Sequence, residues 1–297
     1  MTTATTPKLL ARKPKPVQQG HFKALIFGPS GVGKTWISLD FPAPYYIDCE
    51  GGADLAHYQA KLAAAGGAYM GPEGGSLDFA TVIAQVKALA SQKHPYKTVI
   101  FDSITKLFQT AIANEAERLG DKDAFGASKK PAVAAMRSLI MNIMKLGMNV
   151  IFIAHEATEW GLDPKTGQRT EVGKIADCWE KLIYELDLTV WVQKRGASRV
   201  AIVRKSRLTG FPEGETFALD YAEFGERYGK DFIEAEVVPL SLATPEEVAE
   251  VKRLLEIIKV SEEEIAKGFT KASVDSWEEM TSEQIQKWTA YLKKKLG

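Results

Sequence analysis

Short, almost uninterrupted apolar segments alternate with longer segments of helical periodicity over the first half of the chain. The apolar segments are residues 21–27 (HFKALIF), 44–48 (PYYID), 97–102 (KTVIFD) and 149–154 (NVIFIA). Such segments are typical of parallel strands that are covered on both faces of a sheet. Residues 77–92 and 131–147, which lie between them, have the apolar spacing of helices. This alternation predicts an α/β fold with a doubly wound, mostly parallel sheet.

The pattern changes after residue 187. Residues 187–194 (DLTVWVQK) and 199–205 (RVAIVRK) are two strand-like segments joined by the short link RGAS. A link of this length joins antiparallel strands, so we expect a hairpin at the edge of the sheet. A further apolar stretch, residues 232–240 (FIEAEVVPL), is expected to close a core that spans residues 21–240.

The two ends of the chain differ from this core. Residues 1–20 carry four basic side chains, three prolines and no acidic residue. This composition predicts a disordered basic arm, which is either a solvated tail or a segment that touches nucleic acid. Residues 244–297 contain three capping-box patterns, Thr244/Glu247, Ser261/Glu264 and Thr281/Gln284. They predict a small C-terminal module of three helices, which is either a packing appendage or a module that binds a partner or DNA.

Overall composition excludes some classes of protein but does not indicate a function. The 38 basic and 38 acidic side chains cancel, so net charge does not indicate a partner. Two cysteines, Cys49 and Cys178, make no disulfide or metal framework. No apolar run approaches the roughly 18 residues of a membrane span. We therefore expect a soluble protein of a reducing cytoplasm, with no membrane partner.

Residues 28–35 read GPSGVGKT and match the P-loop pattern GxxxxGK[ST] at every fixed position. In such a loop backbone N–H groups surround phosphate oxygens and a Lys reaches the β- and γ-phosphates. A strand-like segment precedes the loop and the helix-like TWISLDF follows it, which argues against a chance glycine-rich turn. The pattern predicts an ATP site, with Lys34 as the phosphate-binding ammonium and the Thr35 hydroxyl as a ligand of Mg²⁺. The nucleotide-binding residues are Gly28, Pro29, Ser30, Gly31, Val32, Gly33, Lys34 and Thr35.

ATP hydrolysis also needs an acid that holds the Mg²⁺ shell and a base that orients the attacking water. Asp102 ends the segment 97–102, which places its carboxylate at the carboxyl edge of the sheet beside the P-loop. We predict a Walker B role for Asp102, in binding nucleotide and metal; the alternative is an ordinary helix cap for residues 103–108. Glu50 follows the segment 44–48 and is the candidate base; the alternative is a solvated loop acid.

The motifs GPSGVGKT, YYIDCEGG, TVIFDS, VIFIAH and RKSR, in this order, resemble the RecA-like branch of P-loop ATPases. The resemblance implies that Glu50 activates water and that His155, at the end of VIFIAH, senses the γ-phosphate. It also implies that Lys205 and Arg207 of RKSR reach the γ-phosphate of a neighbouring subunit. The active site would then be completed in a ring or filament. The alternatives are a structural histidine and a solvated basic strand end.

Two segments have the composition of mobile loops at the places where RecA-like proteins contact DNA. Residues 156–174 follow the sensor strand, and residues 119–130 follow the helix after the Walker B strand. Cations and aromatic rings in such loops suit phosphate contact and base stacking. The candidate DNA-binding residues are Lys129, Lys130, Lys165, Arg169 and Lys174, accompanied by Phe125 and Trp160.

Within the RecA-like branch, residues 22–238 are most similar to the RecA-like class of bacteriophage single-strand annealing proteins. The similarity implies a RecA-like P-loop NTPase core with a small C-terminal helical domain, ATP and Mg²⁺ as cofactors, and single-stranded DNA as a partner. The implied function is an oligomeric, ATP-dependent recombination protein that anneals or exchanges single strands in the cytoplasm of a bacterial host. Its C-terminal module is expected to contact single-stranded-DNA-binding protein. The alternatives are a helicase-type replication motor or its loader, and a nucleotide-gated interaction module.

Overall fold

The computed structural model describes residues 19–72, 77–124, 126–272 and 274–296. The basic arm predicted for residues 1–20 lies outside these ranges, except for its last two residues. In the part of the chain that is described, no helix is long and apolar enough to cross a membrane.

Strands and helices alternate along the described residues. The strands are β1 (Lys23–Phe27), β2 (Pro44–Asp48), β3 (Ala68–Met70), β4 (Thr98–Asp102), β5 (Asn149–Ala154), β6 (Glu156–Leu162), β7 (Arg169–Ala176), β8 (Leu188–Arg195), β9 (Ser198–Ser206) and β10 (Thr216–Ala218). The helices are α1 (Lys34–Ser38), α2 (Ala56–Ala64), α3 (Phe79–Ser91), α4 (Ile104–Leu119), α5 (Lys129–Lys145), α6 (Leu182–Glu185), α7 (Tyr221–Tyr228), α8 (Lys230–Ile233), α9 (Pro245–Ile257), α10 (Glu262–Ala272) and α11 (Ser282–Leu296). Short 3₁₀ turns occupy Gly120–Lys122 and Trp277–Glu279.

The main sheet has eight strands in the order β10-β9-β8-β1-β5-β4-β2-β3. Strands β3, β2, β4, β5, β1 and β8 run parallel, whereas β9 is antiparallel to both β8 and β10. The α/β fold class with an antiparallel edge pair is therefore confirmed. β3 and β10 are three residues long, and an apolar pattern of that length does not identify a strand.

Helices cover both faces of this sheet. Successive residues of a strand point to opposite faces, so Leu25 and Phe27 of β1 join the cluster under α3, α4 and α5. Ala24 and Ile26 join the cluster on the other face, with side chains from α1, α7 and α8. All five residues of β1 are buried, as an almost continuous apolar strand predicts.

The parallel strands end at a common edge, called the carboxyl edge below. The P-loop follows β1 there, Glu50 follows β2, Asp102 ends β4 and His155 follows β5. The opposite edge, where these strands begin, is called the amino edge. Because β9 is antiparallel, its last residues lie at the amino edge.

The last three helices form a buried cluster of their own. It includes Val251, Leu254, Met280, Ile285 and Leu292. The first capping box is formed as predicted, since the Glu247 N–H donates to the Thr244 hydroxyl and the Thr244 N–H donates to the Glu247 carboxylate. An ion pair of 2.7 Å between Lys87 and Glu279 links this cluster to α3 of the core.

Residues 156–174 are a β-ribbon rather than a mobile loop. β6 and β7 pair in antiparallel register from Glu156↔Ala176 to Leu162↔Arg169. The Asp163 carboxylate accepts the N–H groups of Lys165 and Thr166, and Gly167 adopts a φ of 67°, which closes the turn. This turn chemistry, written DPKTG in the sequence, outweighs the polar composition that predicts a loop.

Two other segments also differ from the prediction. The loop predicted over residues 119–130 is shorter, because α4 continues to Leu119 and α5 already begins at Lys129. Phe125 lies outside the described residues. Residues 232–240 add no strand to the core: Ile233 of α8 is buried, but Val238 is 77% exposed.

Candidate active site

The P-loop joins β1 to α1 at the carboxyl edge, in the strand–loop–helix order that the motif requires. A Cβ atom at Gly28 would lie 2.5 Å from the carbonyl oxygen of Val192 in β8, so only glycine fits there. Gly33 has a φ of 99°, in the region that favours glycine. Lys34 Nζ donates to the carbonyl oxygens of Gly28 and Pro29, at 2.8 Å each. The ammonium is thereby held over the loop by neutral groups.

Lys34 lies in a strongly acidic environment. Burial lowers the pKa of its ammonium, while the carboxylates of Asp102, Glu50 and Glu156 act in the opposite direction. Charges interact more strongly where water is partly excluded. A phosphate group that reaches this loop would therefore compete with these carboxylates for the Lys34 ammonium.

The Asp102 carboxylate lies directly beside the P-loop helix. Its Oδ2 accepts hydrogen bonds from the Thr35 hydroxyl at 2.5 Å and from the Tyr46 hydroxyl at 2.7 Å. Burial raises the pKa of Asp102, and these two hydrogen bonds oppose that rise. The peptide bond between Asp102 and Ser103 is cis.

The adjacent oxygens of Thr35 and Asp102 fit Mg²⁺. This ion prefers oxygen ligands and is commonly held by one or two protein groups together with substrate phosphates and water. Among the residues that the structure describes, no cluster of three or more His, Cys, Asp and Glu side chains is arranged to hold a metal ion. Phosphate and water oxygens would therefore complete the coordination of a Mg²⁺ bound here.

Asp48, the last residue of β2, shapes the turn that carries Glu50. Its Oδ1 accepts the N–H groups of Glu50 at 3.0 Å and Gly51 at 2.8 Å, and its Oδ2 accepts that of Ala53 at 2.9 Å. The Tyr69 hydroxyl donates to the same Oδ2 at 3.0 Å. The buried carboxylate thus fixes the backbone on which Glu50 stands.

Glu50 is in direct contact with the candidate sensor. Its Oε1 lies 2.7 Å from His155 Nε2 and also accepts a hydrogen bond from the Ser103 hydroxyl. These three side chains come from the ends of β2, β4 and β5, which are adjacent in the sheet. The structure therefore brings the predicted base, sensor and Walker B strand together at one point.

The β6–β7 ribbon is anchored at this point. The Thr105 hydroxyl, in the first turn of α4, accepts the His155 N–H at 2.9 Å and donates to the Asp177 carbonyl at 2.5 Å. The Asp177 N–H donates in turn to the His155 carbonyl at 2.9 Å. Both ends of the ribbon are thereby tied to each other and to the helix that follows Asp102.

The predicted DNA-binding cations lie in two places. On the ribbon, the Arg169 guanidinium lies 5.1 Å from the centre of the Trp160 ring, Lys174 pairs with Glu171 at 2.7 Å, and Lys165 is exposed in the turn. Lys129 and Lys130 are exposed in the first turn of α5. The ribbon therefore unites three of the five cations, and the other two stand on a helix.

Lys205 and Arg207 lie at the amino edge, opposite the P-loop. Lys205 pairs with Thr189 near the start of β8. Its ammonium donates to the Leu186 carbonyl, and the Arg207 guanidinium donates to the Tyr184 carbonyl. Burial, together with the neighbouring charge of Arg207, lowers the pKa of Lys205. This placement separates both cations from the P-loop of the same chain by about the length of a strand.

Four residues of the site were not indicated by the sequence as functional. They are Tyr46, Asp48, Ser103 and Thr105, whose contacts are described above. Ser103 directly follows Asp102 and Asp48 lies two residues before Glu50, and that closeness in sequence is the signal they offer. Tyr46 has the pattern of a core residue, and no local feature distinguishes its hydroxyl.

A family model described as an AAA domain matches residues 21–210. No curated protein matches the sequence. Among solved structures, the chain is similar to the RadB recombinase, with 19% identity and a TM-score of 0.41 over 66% of this chain and 84% of that one. It is also similar to the flagellar accessory protein FlaH from Methanocaldococcus jannaschii, with 14% identity and a TM-score of 0.35 over 67% and 84%. A third similar structure is a prototypical ATPase from the type III secretion system of pathogenic bacteria, with 13% identity and a TM-score of 0.41 over 97% and 89%.

These distant structural similarities carry no argument about function. The AAA match is different, because it covers most of the chain and includes the P-loop, Glu50, Asp102 and His155. It agrees with the geometry, which places the P-loop, an Asp carboxylate hydrogen-bonded to Thr35 and a Glu at one edge of a mostly parallel sheet. The chain belongs to the AAA domain family and is a P-loop ATPase.

Proposed function

We propose that this ATPase is a single-stranded-DNA-binding recombination protein that anneals or exchanges strands, of the RecA-like class found in bacteriophages. One observation carries the proposal: the contact of 2.7 Å between Glu50 and His155. It joins the candidate hydrolytic base to the residue that directly precedes a ribbon carrying Trp160 and Arg169 in contact with each other. A ligand on the ribbon and a phosphate on the P-loop can therefore act on the same pair of side chains.

In the proposed hydrolysis, each side chain has one task. The Lys34 ammonium binds the β- and γ-phosphates, and Thr35 with Asp102 holds Mg²⁺, which supplies charge neutralisation at the phosphate oxygens. Glu50 orients the attacking water and accepts its proton. Ser103 and His155 bind the Glu50 carboxylate at its Oε1, and this contact is proposed to keep the carboxylate from the attacking water until His155 releases it.

His155 is proposed to couple hydrolysis to DNA. Its side chain is paired with Glu50, while its backbone is fixed to Thr105 and Asp177 at the base of the ribbon. A shift of the ribbon on binding a single strand would therefore move the backbone of His155. Release of Glu50 from this pair would free the carboxylate for water, which predicts an ATPase stimulated by DNA.

The ribbon has the chemistry that a single strand requires. Trp160 is 52% exposed and lies on the same face as Arg169, as their contact shows. Exposed aromatic and guanidinium groups stack on bases of any sequence, and cations bind the phosphate backbone. Lys165 at the turn is proposed to contact phosphate, as is Lys174 near the base, which is paired with Glu171 at 2.7 Å. Lys129 and Lys130 are proposed to add a second phosphate contact from α5.

Lys205 and Arg207 are proposed to act on the nucleotide of a neighbouring copy. They stand at the edge of the sheet opposite their own P-loop, so a head-to-tail arrangement of copies would bring them to the next P-loop. Such an arrangement closes into a ring or continues as a filament. ATP·Mg²⁺ would then be bound between subunits.

The C-terminal helices are proposed to contact single-stranded-DNA-binding protein. A groove of about 500 Å³ lies between α10 and α11 and is lined by Trp288, Tyr291 and the lysines Lys267, Lys271 and Lys287. Lysines around aromatic side chains suit an acidic peptide of a partner.

The test is the steady-state ATPase rate with and without single-stranded DNA, on the wild type and on Lys34→Ala as the inactive control. We expect several-fold stimulation by DNA, together with annealing of complementary strands. A rate indifferent to DNA would leave an ATPase without the proposed role. ATP-driven unwinding of a duplex would indicate a helicase-type motor instead.

A further inference from the structure

A groove of about 680 Å³ runs beside the P-loop, on the side of the antiparallel strands. Its walls include Gly31, Gly33, Trp36, Arg199 and Leu219. The volume lies within the range of about 300–1,000 Å³ that small-molecule sites occupy. Gly31 and Gly33 belong to the P-loop, whereas the side chains of Trp36, Arg199 and Leu219 have no role in the hydrolysis proposed above.

The sheet order indicates which part of a nucleotide would enter this groove. Glu50 and His155 lie on one side of β1, at the ends of β2 and β5, whereas β8, β9 and β10 lie on its other side. In phosphoryl transfer the attacking water and the leaving group are roughly in line on opposite sides of the γ-phosphate. If Glu50 positions the water, the nucleoside must extend away from it, towards β8 and β9.

Arg199 is the cation that the nucleoside would meet there. It is the second residue of β9, and its backbone is fixed by a hydrogen bond of 3.1 Å from the Leu219 N–H to its carbonyl. Its Cδ and Nε atoms lie 3.1 Å from the position that a Cβ on Gly33 would occupy. The side chain therefore lies against the P-loop backbone. Within the described part of the chain, Arg199 forms no ion pair with an acidic residue.

The acidic side chains of the groove are engaged elsewhere. Asp40 pairs with Lys61 at 2.6 Å, and the Asp220 carboxylate accepts the Glu223 N–H at 2.9 Å as the cap of α7. Selective recognition of a base depends on polar groups that are positioned to bond its edge. A planar guanidinium instead stacks on the face of any base.

We propose that Arg199 stacks on the base of the bound nucleoside triphosphate, and that the groove discriminates little between adenine and guanine. The inference rests on the proposed nucleotide site and specifies which substrates it accepts. ATP and GTP then bind with similar affinity, and the base contributes to binding through its face.

The experiment measures dissociation constants for ATP, GTP and inorganic tripolyphosphate, each with Mg²⁺, by isothermal titration calorimetry. The variants are Arg199→Ala, Arg199→Lys and, as the matched control on the same hairpin, Arg195→Ala. We expect Arg199→Ala to weaken the binding of ATP and of GTP about tenfold, and the binding of tripolyphosphate less than about twofold. Arg199→Lys keeps the charge but loses the planar face, so it should resemble Arg199→Ala. Arg195→Ala should bind all three ligands as the wild type does.

If Arg199→Ala weakened the binding of tripolyphosphate as much as that of ATP, Arg199 would contact the phosphates and the inference would be overturned. Unchanged ATP binding in both Arg199 variants would overturn it as well, as would a wild type that prefers ATP to GTP by more than about tenfold. A wild type that binds tripolyphosphate but shows no added affinity for ATP would remove the base site and leave the phosphate site. A wild type that binds none of the three ligands would overturn the proposed nucleotide site itself.

Discussion

The two edges of the main sheet carry different kinds of candidate residues. At the carboxyl edge, Glu50, Asp102 and His155 are already joined to one another and to the P-loop helix by direct contacts or through shared neighbours. At the amino edge, Lys205 and Arg207 bind backbone carbonyls of residues 184–186 of their own chain. The candidate residues of the carboxyl edge contact one another within a single chain. Within the described part of the chain, the side chains of the amino edge hydrogen-bond to that backbone and to no other candidate residue of the site.

This difference separates two hypotheses about the ATPase. If the carboxyl edge suffices, a single chain hydrolyses ATP and the amino edge is structural. If the amino edge supplies the missing cation to a neighbour, activity depends on assembly. The predictions below are ordered from the largest expected effect to the smallest.

Arg207→Ala should lower the ATPase rate by about 10³-fold or more, because a cation that stabilises the transferring phosphoryl group is lost. Mixing it with an excess of Lys34→Ala should restore activity, since a site formed by the intact P-loop of one variant and the intact Arg207 of the other is complete. Steady-state ATPase assays on the mixtures measure this. Arg195→Ala is the control. Full activity of Arg207→Ala alone would end the model of shared sites.

Glu50→Gln should lower turnover by about 10²- to 10³-fold while ATP binding is kept, because a general base is lost without a change in shape. Single-turnover hydrolysis and calorimetric binding separate the two quantities. Asp54→Asn, an exposed acid in the same turn, is the matched control and should turn over normally. Normal turnover of Glu50→Gln would assign the base to another residue.

Trp160→Ala and Arg169→Ala should each weaken single-stranded DNA binding by about 5- to 150-fold, which corresponds to the loss of about 1–3 kcal/mol of stacking. Thr170→Ala, an exposed residue of the same ribbon, should bind as the wild type does. Fluorescence anisotropy titrations measure all three. Because the changes lie away from the P-loop, basal ATPase activity should persist while its stimulation by DNA is lost. Equal binding by all variants would remove the ribbon from the DNA site.

Neutralising Lys129 and Lys130 together should weaken single-stranded DNA binding less than the ribbon variants do. It should mainly reduce the dependence of the affinity on salt, since each lysine contributes at most a phosphate contact. The same anisotropy titration, repeated at several salt concentrations, gives the slope. A slope and an affinity unchanged from the wild type would exclude α5 from the DNA contact.

Asp102→Asn should raise the melting temperature of the nucleotide-free chain, by about 2–4 °C for each kcal/mol of cost removed. Burial raises the pKa of Asp102, so its ionisation opposes folding at neutral pH. An amide oxygen can still accept the hydroxyl hydrogen bonds of Thr35 and Tyr46. Thermal melts without nucleotide test this, with Asp54→Asn as the control. The same variant should lose Mg²⁺-dependent hydrolysis, and a lower melting temperature would contradict the expectation.

The sequence predicted the fold well where patterns are local. The apolar segments located β1, β2, β4 and β5 within one or two residues, and the short link RGAS identified the hairpin of β8 and β9. The ribbon was predicted as a loop because its strands are half exposed and polar, so they lack a continuous apolar signal. The P-loop, Asp102 and His155 could be proposed as site residues because each directly follows or ends a recognisable strand, and Glu50 because it lies two residues after one.

The sequence by itself determined the order of strands and helices, the P-loop and the positions of the charged residues along the chain. Only the tertiary structure decided which of those residues meet. Glu50 and Ser103 are 53 positions apart and Tyr46 and Asp102 are 56 apart, yet each pair is hydrogen-bonded. Local periodicity reports which face of an element is apolar, over a few residues. Which strands become neighbours, and in what register, depends on packing of the whole sheet, and that packing placed Lys205 and Arg207 at the edge opposite the P-loop.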